Sequence, residues 1–374
     1  MLIKGAAVLG EDFIFRKRDI AVEGGVFRAA GCNRGEILDG TGLFLLPGLV
    51  DIHTHGAAGC DNMDADPAAI DTITDFLARR GVTTYFATIL TQSREAMGDA
   101  AENIAAVAAR GTRGAKIGGI YMEGPYFSAV HKGAQNEAFL RDPDLDEFRA
   151  LQTRAAGLIR IVSLSPERRG AADFIRAVTK GGVRAAIGHT DADYETARAA
   201  IDAGATDLTH TFNGMRDPLH RAPNAAGAAI DGGLYCECIA DGVHVHPAMI
   251  RLLYRAVGRD RLVLISDALR AAGMPDGDYE LGGQQFRVRA GRATLPDGTI
   301  AGSTATLFSC VQNAIRFGIP PEDAVRAASL NPARAAGIAD RCGVIADGRC
   351  ADFLLVDRDF NLRAVYIDGK RVNA

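Results

Sequence analysis

His53 and His55 stand two apart in Asp51-Ile52-His53-Thr54-His55, Glu123 sits in Tyr121-Met122-Glu123-Gly124-Pro125, and His189, His210 and Asp267 each follow a short apolar run. Imidazole and carboxylate oxygen are good ligands for zinc and for iron. An ion held by three protein side chains keeps a position for water and brings that water's pKa to about 7, which makes a nucleophile available at neutral pH. Residues two apart in an extended strand share a face, so His53 and His55 aim together. Asp267 in such company is the candidate general base, taking the proton of the attacking water and returning it to a leaving nitrogen. Each residue has a plainer reading: a strand-end histidine that serves only structure, a buried carboxylate paired with arginine at Glu123, a helix N-cap at Asp267. Five candidate ligands converging from four strands outweigh those readings.

The elements that must position them alternate short apolar runs with Ala-rich amphipathic segments, the pattern of a parallel sheet. Eight runs are expected as strands: Leu49 to Ile52, Thr83 to Thr88, Ile117 to Met122, Ile159 to Leu164, Val183 to Ile187, Thr206 to Thr209, Leu234 to Ile239 and Leu262 to Ile265. Helices are expected over Pro67 to Arg80, Ala96 to Ala109, Ala171 to Thr179, Tyr194 to Ala203 and Pro247 to Val257. Six of the eight runs end within a few residues of a His, Glu or Asp, which is where a (β/α)₈ TIM barrel builds its site. Past the seventh run, Asp241 and His244 follow, with the His244 N–H placed to bond a substrate carbonyl. The segment Tyr279 to Ile300 breaks the pattern and is expected as an inserted hairpin near the mouth.

Both termini read differently. Leu2 to Leu9, Asp19 to Val22, Val26 to Ala30 and Leu43 to Leu46 look like strands, as do Ala351 to Asp357 and Leu362 to Asp368. The α/β fold expected is therefore a barrel over residues 48–339 with a small discontinuous β-sandwich domain made from residues 1–47 and 340–374. Hydrophobic residues at 48% and a net charge of -4 exclude a disordered chain, and the near balance of 42 basic and 46 acidic residues leaves no footprint for nucleic acid or an anionic membrane. The longest uncharged run, Gly298 to Ile315, is too polar to span a membrane. Seven cysteines without a CxxC spacing, and Glu11-Asp12 close behind Met1, fit a cytoplasmic protein better than an exported one.

Taken together, Leu46-Pro47-Gly48-Leu49-Val50-Asp51-Ile52-His53-Thr54-His55-Gly56, Met122-Glu123-Gly124-Pro125-Tyr126, Ile187-Gly188-His189-Thr190-Asp191-Ala192, Thr209-His210-Thr211-Phe212-Asn213-Gly214-Met215, Ala240-Asp241-Gly242-Val243-His244, Ile265-Ser266-Asp267-Ala268 and Ala301-Gly302-Ser303 resemble the amidohydrolase superfamily. Within it they are most similar to the N-acetylglucosamine-6-phosphate deacetylases, over essentially the whole chain. The resemblance implies a divalent metal, one or two per subunit, zinc first with iron or cobalt as alternatives. It implies Glu123, His189 and His210 as ligands, with His53 and His55 supporting a second ion. Asp267 is the implied acid/base and His244 the group polarising the acetamide. Ala134, Asn213, Gly214, Ala301, Gly302 and Ser303 are implied contacts of a small phosphosugar substrate, with the phosphate met by Arg221 reaching across a homodimer.

The family loop after Glu-Gly-Pro-Tyr commonly carries a histidine where this chain reads Gly133-Ala134-Gln135, with His131 four residues upstream, so the sugar epimer stays open between gluco and galacto. Ser163-Leu164-Ser165-Pro166 after the fourth run offers no lysine for the carboxylated-lysine branch of the superfamily, and His189-Thr190-Asp191-Ala192 lacks the His-x-x-Glu of adenosine deaminases. The remaining alternative is a barrel without chemistry, serving as a scaffold or sugar-phosphate sensor; it sits poorly with six ligand and acid/base residues all in place.

Overall fold

The structure, a computed structural model, describes residues 1–29 and 35–373. Its centre is eight parallel strands in chain order: β1 (Leu49–Thr54), β2 (Val82–Leu90), β3 (Lys116–Glu123), β4 (Ile159–Leu164), β5 (Arg184–Ile187), β6 (Asp207–Leu208), β7 (Tyr235–Ile239) and β8 (Leu262–Ile265). Each pairs with the next, and β8 lies beside β1. There the Asp267 N–H donates to His53 O at 2.9 Å, and the Ser266 backbone and hydroxyl both donate to the Asp51 carboxylate. This closes a (β/α)₈ TIM barrel. Phe86, Tyr121, Ile161, Ala186, Ile239, Val263 and Ile265 cluster together, drawing on six of the eight strands as a filled barrel interior does. The helix Leu330–Ala335 plugs the end opposite the strand C-termini, where Asn331 donates to Leu262 O at the start of β8.

The strands form where the sequence is continuously apolar or β-branched, because both faces of a parallel sheet are covered. All nine residues of β2 are buried. The helices follow their caps. Asp66 accepts from the Ala68 N–H ahead of Pro67–Arg79, which turns Ile70, Ile73 and Leu77 inward. The helix Leu145–Arg154 was not expected from the periodicity, because it buries only Phe148 and Leu151; its start is fixed instead by Asp144, which accepts from two backbone N–H groups.

The termini build two further sheets. One, of four strands, runs in the order Val26–Ala29, Ile20–Glu23, Leu2–Lys4, Ile37–Asp39; the other, of six, combines N-terminal Phe44–Pro47, Ala7–Leu9 and Phe15–Lys17 with C-terminal Phe353–Val356, Leu362–Ile367 and Lys370–Arg371. Ile3, Val8, Phe27, Leu45, Phe353 and Tyr366 pack between them as a β-sandwich core. The single run expected over Leu2 to Leu9 is in fact two strands in different sheets, because Gly5 at φ +76° turns the chain from one to the other. Ile37–Asp39 and Phe15–Lys17 are short and largely exposed, so they carry no alternation to read. Ala30, the last residue of one expected strand, and Cys32 lie outside the described residues. The expected hairpin is a three-stranded antiparallel sheet of Gly277–Leu281, Gln284–Arg289 and Arg292–Thr294, and it does lie at the mouth: Gln284 Nε2 donates to Ala134 O at 2.6 Å.

Candidate active site

The candidate ligands leave the barrel at its C-terminal end in a repeated way. His189, His210 and Asp267 each stand two residues beyond the last residue of a strand, after Ile187, Leu208 and Ile265, and each has left-handed backbone, at φ +46°, +25° and +48°. L-residues adopt that region at a cost and persist there only when their surroundings hold them. Here Ser165 Oγ donates to His189 O, the His210 N–H donates to Glu237 Oε2 at 3.1 Å, and the Asp267 N–H bonds His53 O. The sharp turn re-aims each side chain from the strand direction into the barrel mouth. Gly214 is required beside it, since its φ is +58° and an added Cβ would stand 2.8 Å from His189 Nδ1.

The ring nitrogens converge on one carboxylate. Glu123 Oε1 lies 3.2 Å from both His189 Nε2 and His210 Nε2, and 3.4 Å from His53 Nε2. Glu123 Oε2 lies 3.3 Å from His55 Nε2, while Asp267 Oδ1 stands 3.2 Å from His55 Nε2 and 3.6 Å from His53 Nε2. The opposite ring nitrogens are spoken for: His189 Nδ1 donates to His131 O at 2.9 Å and His210 Nδ1 to Asn213 O at 3.1 Å. A carbonyl oxygen can only accept, so both Nδ1 atoms carry the proton and both Nε2 atoms present lone pairs. Those lone pairs face each other across 3.1 Å and face an ionised carboxylate. Such an arrangement is repulsive by itself and suits a cation at its focus.

The electrostatics agree. Burial pushes the Glu123 carboxyl up, but the histidines around it, His53 foremost, outweigh burial and hold it well below the usual carboxylate range. Asp267 is likewise lowered against its burial by His53 and His55. His189 is held neutral because burial outweighs the pull of Glu123. His55 runs the other way, up to about 9, since Asp267 and Glu123 outweigh its burial. Glu123, His189 and His210 therefore fit one divalent metal ion, and His53, His55 and Glu123 form a second group of ligand atoms equally close together.

A cavity of about 300 Å³ opens over this cluster, lined by His55, Glu123, His189, His210, His244 and Asp267 together with Ala134, Asn213, Gly214, Ala301 and Gly302. That volume suits a small ligand. His53 is fully buried beneath it. His244 lines the wall with both ring nitrogens engaged, Nδ1 at 2.7 Å from Asp241 Oδ2 and Nε2 at 2.8 Å from Ala301 O. Two acceptors require two N–H groups, and its pKa is raised because the Asp241 carboxylate outweighs burial. Two of the implied substrate contacts lie off the lining of this chain's own cavity. Ser303, expected against the sugar, is buried behind the wall, and its hydroxyl donates to Ser266 O and accepts from the Ala305 N–H. Arg221 lies on an exposed loop beside His220 Nε2, away from the lining of its own chain's cavity.

Three contributions to the site were not foreseen in these roles. Glu237 accepts from His53 Nδ1 at 3.0 Å and from the His210 N–H; its signal is a lone charge within the otherwise apolar strand β7. Gln135 donates from Nε2 to Glu123 Oε2 at 2.7 Å while its Oε1 accepts from the Thr91 N–H at 3.0 Å, a role that position alone does not announce. Leu281 of the inserted sheet, with Thr299 and Ile300 just after it, joins the cavity lining.

Known proteins agree with this architecture. The model of the amidohydrolase family matches residues 44–372. An N-acetylglucosamine-6-phosphate deacetylase of Vibrio furnissii is 39% identical over 88% of this chain and 82% of its own length. An N-acetylgalactosamine-6-phosphate deacetylase of Escherichia coli O157:H7 is 37% identical over 87% of each. Among solved structures, an aspartate-to-alanine variant of N-acetyl-D-glucosamine-6-phosphate deacetylase from Mycobacterium smegmatis, in complex with N-acetyl-D-glucosamine-6-phosphate, superposes with a TM-score of 0.93 at 35% identity, covering 100% of this chain and 99% of that one. With a closed barrel, a histidine–carboxylate cluster at the strand ends and a family match spanning all but its first 43 and last two residues, the chain belongs to the amidohydrolase family.

Proposed function

We propose that this protein hydrolyses the acetamide of N-acetylglucosamine 6-phosphate to glucosamine 6-phosphate and acetate. The observation that carries the reading is the convergence of His189 Nε2 and His210 Nε2 on Glu123 Oε1, with Asp267 beside them at the floor of a cavity sized for a monosaccharide phosphate. A divalent ion in that cluster, zinc first with iron or cobalt as alternatives, supplies Lewis acidity and brings the pKa of water to about 7.

The chain's own residues do the rest. Asp267 is ionised at rest, so it accepts a proton from the water that adds to the acetamide carbon. It then delivers that proton to the amide nitrogen as the C–N bond breaks, leaving an amine and acetate. His244 supplies a positively charged N–H on the opposite wall, available to the acetamide oxygen once it exchanges Ala301 O for the substrate. Ala134, Asn213, Gly214, Ala301 and Gly302 shape the sugar pocket, and Gln135 holds the Glu123 carboxylate in place. Arg221, exposed and remote from its own cavity, meets the phosphate of a substrate bound in the neighbouring subunit of a homodimer. Six described cysteines are free thiols, which suits the cytoplasm.

A second reading exchanges the gluco for the galacto epimer. The relative that acts on N-acetylgalactosamine 6-phosphate is nearly as similar as its gluco counterpart, so overall likeness does not choose between them. Acetate release measured on N-acetylglucosamine 6-phosphate, its galacto epimer and unphosphorylated N-acetylglucosamine tests both readings. A higher kcat/KM on the galacto sugar selects the second, and equal turnover of the unphosphorylated sugar removes the phosphate assignment.

A further inference from the structure

The loop after β3 turns back over the cavity, where Gly133, Ala134 and Gln135 line the wall. Its two ends are well held. Near the start, the Ser128 N–H donates to Ser165 Oγ at 2.7 Å and to His189 O at 3.1 Å. Near the end, Gln135 bridges Thr91 and Glu123, and Ala134 O accepts from Gln284. The crown between them turns its side chains to solvent: Ala129 is exposed, and Val130 is 73% exposed. What holds the crown is His131. Its carbonyl accepts from His189 Nδ1, and its ring Nε2 lies 3.0 Å from Asp191 Oδ1. A carboxylate only accepts, so Nε2 carries the proton, and the bond needs no charge on the ring.

Asp191 can anchor another loop because it is firmly anchored itself. Arg216, on the loop after β6, donates to both of its oxygens, from Nε to Oδ1 at 3.0 Å and from Nη2 to Oδ2 at 2.7 Å. Such a bidentate pair fixes direction as well as distance. Glu167, on the loop after β4, accepts from the Asp191 N–H at 2.7 Å and from Thr190 Oγ1 at 2.6 Å. Backbone bonds tie the loops after β5 and β6 together, from the Thr190 N–H to Gly214 O at 2.9 Å and from the Arg216 N–H to Thr190 O at 3.3 Å. One carboxylate thus joins the loop after β3 to a frame built from the next three. His131, Asp191 and Arg216 are partly exposed, so the network adds little to global stability, and its effect falls on the freedom of the loop.

We infer that Asp191 is a positioning residue for substrate binding: through His131 it clamps the loop after β3 where that loop completes the sugar pocket. His131, Asp191 and Arg216 all lie off the cavity lining, so the clamp reaches the substrate only through the residues the loop carries there. Without it the loop samples other positions, and binding must first order it. Affinity then falls in proportion to the fraction of molecules with the loop in place, while the filled site reacts as before. The metal ligands keep supports of their own, Ser165 on His189 O and Gln135 on Glu123. The inference rests on the deacetylase reading above.

The experiment is steady-state acetate release by zinc-loaded wild type, Asp191→Ala, His131→Ala and the double variant, on whichever phosphosugar epimer wild type prefers, with hydrogen–deuterium exchange of the loop alongside. Each single variant is expected to raise KM about tenfold, as for a loop in place about one-tenth of the time, with kcat within about threefold of wild type. The double variant is expected to be no worse than either single one, because both break the same clamp. An unchanged KM in either single variant, a fall in kcat without a rise in KM, or a double variant that multiplies the two effects overturns the inference. A wild type that releases no acetate from either epimer sinks the deacetylase reading instead, and amide exchange over residues 128–136 then decides the clamp by itself. Exchange there about tenfold faster in Asp191→Ala, with the barrel strands unchanged, supports it; identical exchange in the two proteins overturns it.

Discussion

The Nε2 atoms of His189 and His210 stand 3.1 Å apart with no proton between them, because each ring spends its one N–H on a backbone carbonyl. The same fact sets the response to chelation. Removing the ion leaves facing lone pairs beside an ionised Glu123, so stripping metal with a chelator should lower the thermal midpoint as well as abolish turnover, and zinc should restore both. A chelator-treated protein that is metal-free yet melts unchanged would show that the cluster is at ease without a cation.

Asp267 is assigned the proton transfers. Asp267→Asn keeps the shape and removes the base, so kcat should fall by about 10²- to 10⁴-fold while bound metal stays at the wild-type level. Near-normal kcat in a metal-loaded variant rules the role out.

Much of this was legible before the structure. The parity of His53 and His55 and the strand-end positions of Glu123, His189, His210 and Asp267 follow from sequence period alone, and β4, β8 and the helix Pro247–Val257 have the bounds their apolar runs mark. What escaped depends on groups remote in the chain. Glu237 meets His53 across 184 positions, and no local pattern encodes that meeting. Ser303 sits in a motif that borders the cavity, yet its hydroxyl is drawn away by Ser266 O, an outcome set by how β8 and the following loop pack. Gly5 breaks one apolar run into two sheets, where hydrophobicity by itself reads a single strand.

Gln135 holds Glu123 by a side chain whose orientation is fixed: Thr91 must donate, so the amide oxygen faces Thr91 and the NH₂ faces Glu123. Gln135→Leu should therefore weaken retention of the first ion by about tenfold or more, with substrate KM rising as the loop loosens. Competition with a chromophoric chelator reads the affinity directly, and an unchanged value removes Gln135 from the support of the site.

Lys116 joins the barrel to the terminal sandwich. Its Nζ lies 3.0 Å from Asp352 and 2.6 Å from Asp368, and Asp352 is buried. Burial disfavours the Lys116 cation, but Asp352 and Asp368 outweigh it and raise its pKa; its contribution is present below the ordinary lysine range and is lost as pH rises past the raised value. Asp352 is also raised, by burial that Lys116 offsets only in part, so ionising it opposes folding as pH rises above the usual carboxylate range. Lys116→Met removes the offset. We expect a loss of about 1–2 kcal/mol near neutral pH that shrinks as the pH falls and Asp352 takes up a proton, which its raised pKa makes it do earlier than an ordinary aspartate. Thermal melts across that range check it; a loss independent of pH would place the effect in packing.

Arg221→Ala should raise KM for the phosphosugar about 10- to 100-fold with a smaller change in kcat, as expected for loss of a charge-assisted contact made equally in ground and transition states. Mixing this variant with Asp267→Asn is the sharper check. If each arginine serves the neighbouring site, heterodimers carrying one intact site regain activity; no recovery on mixing places Arg221 outside the partner's site.

The central claim is that a metal held by Glu123, His189 and His210 serves acetamide hydrolysis on a phosphorylated amino sugar. Acetate release on N-acetylglucosamine 6-phosphate, run on one preparation before and after metal removal and zinc return with metal content measured at each stage, tests it most directly. Turnover that vanishes with the metal, returns with it and is much weaker on the unphosphorylated sugar is the predicted result; acetate released at an unchanged rate by metal-free protein, or none released by the fully loaded protein from either phosphosugar epimer, contradicts it.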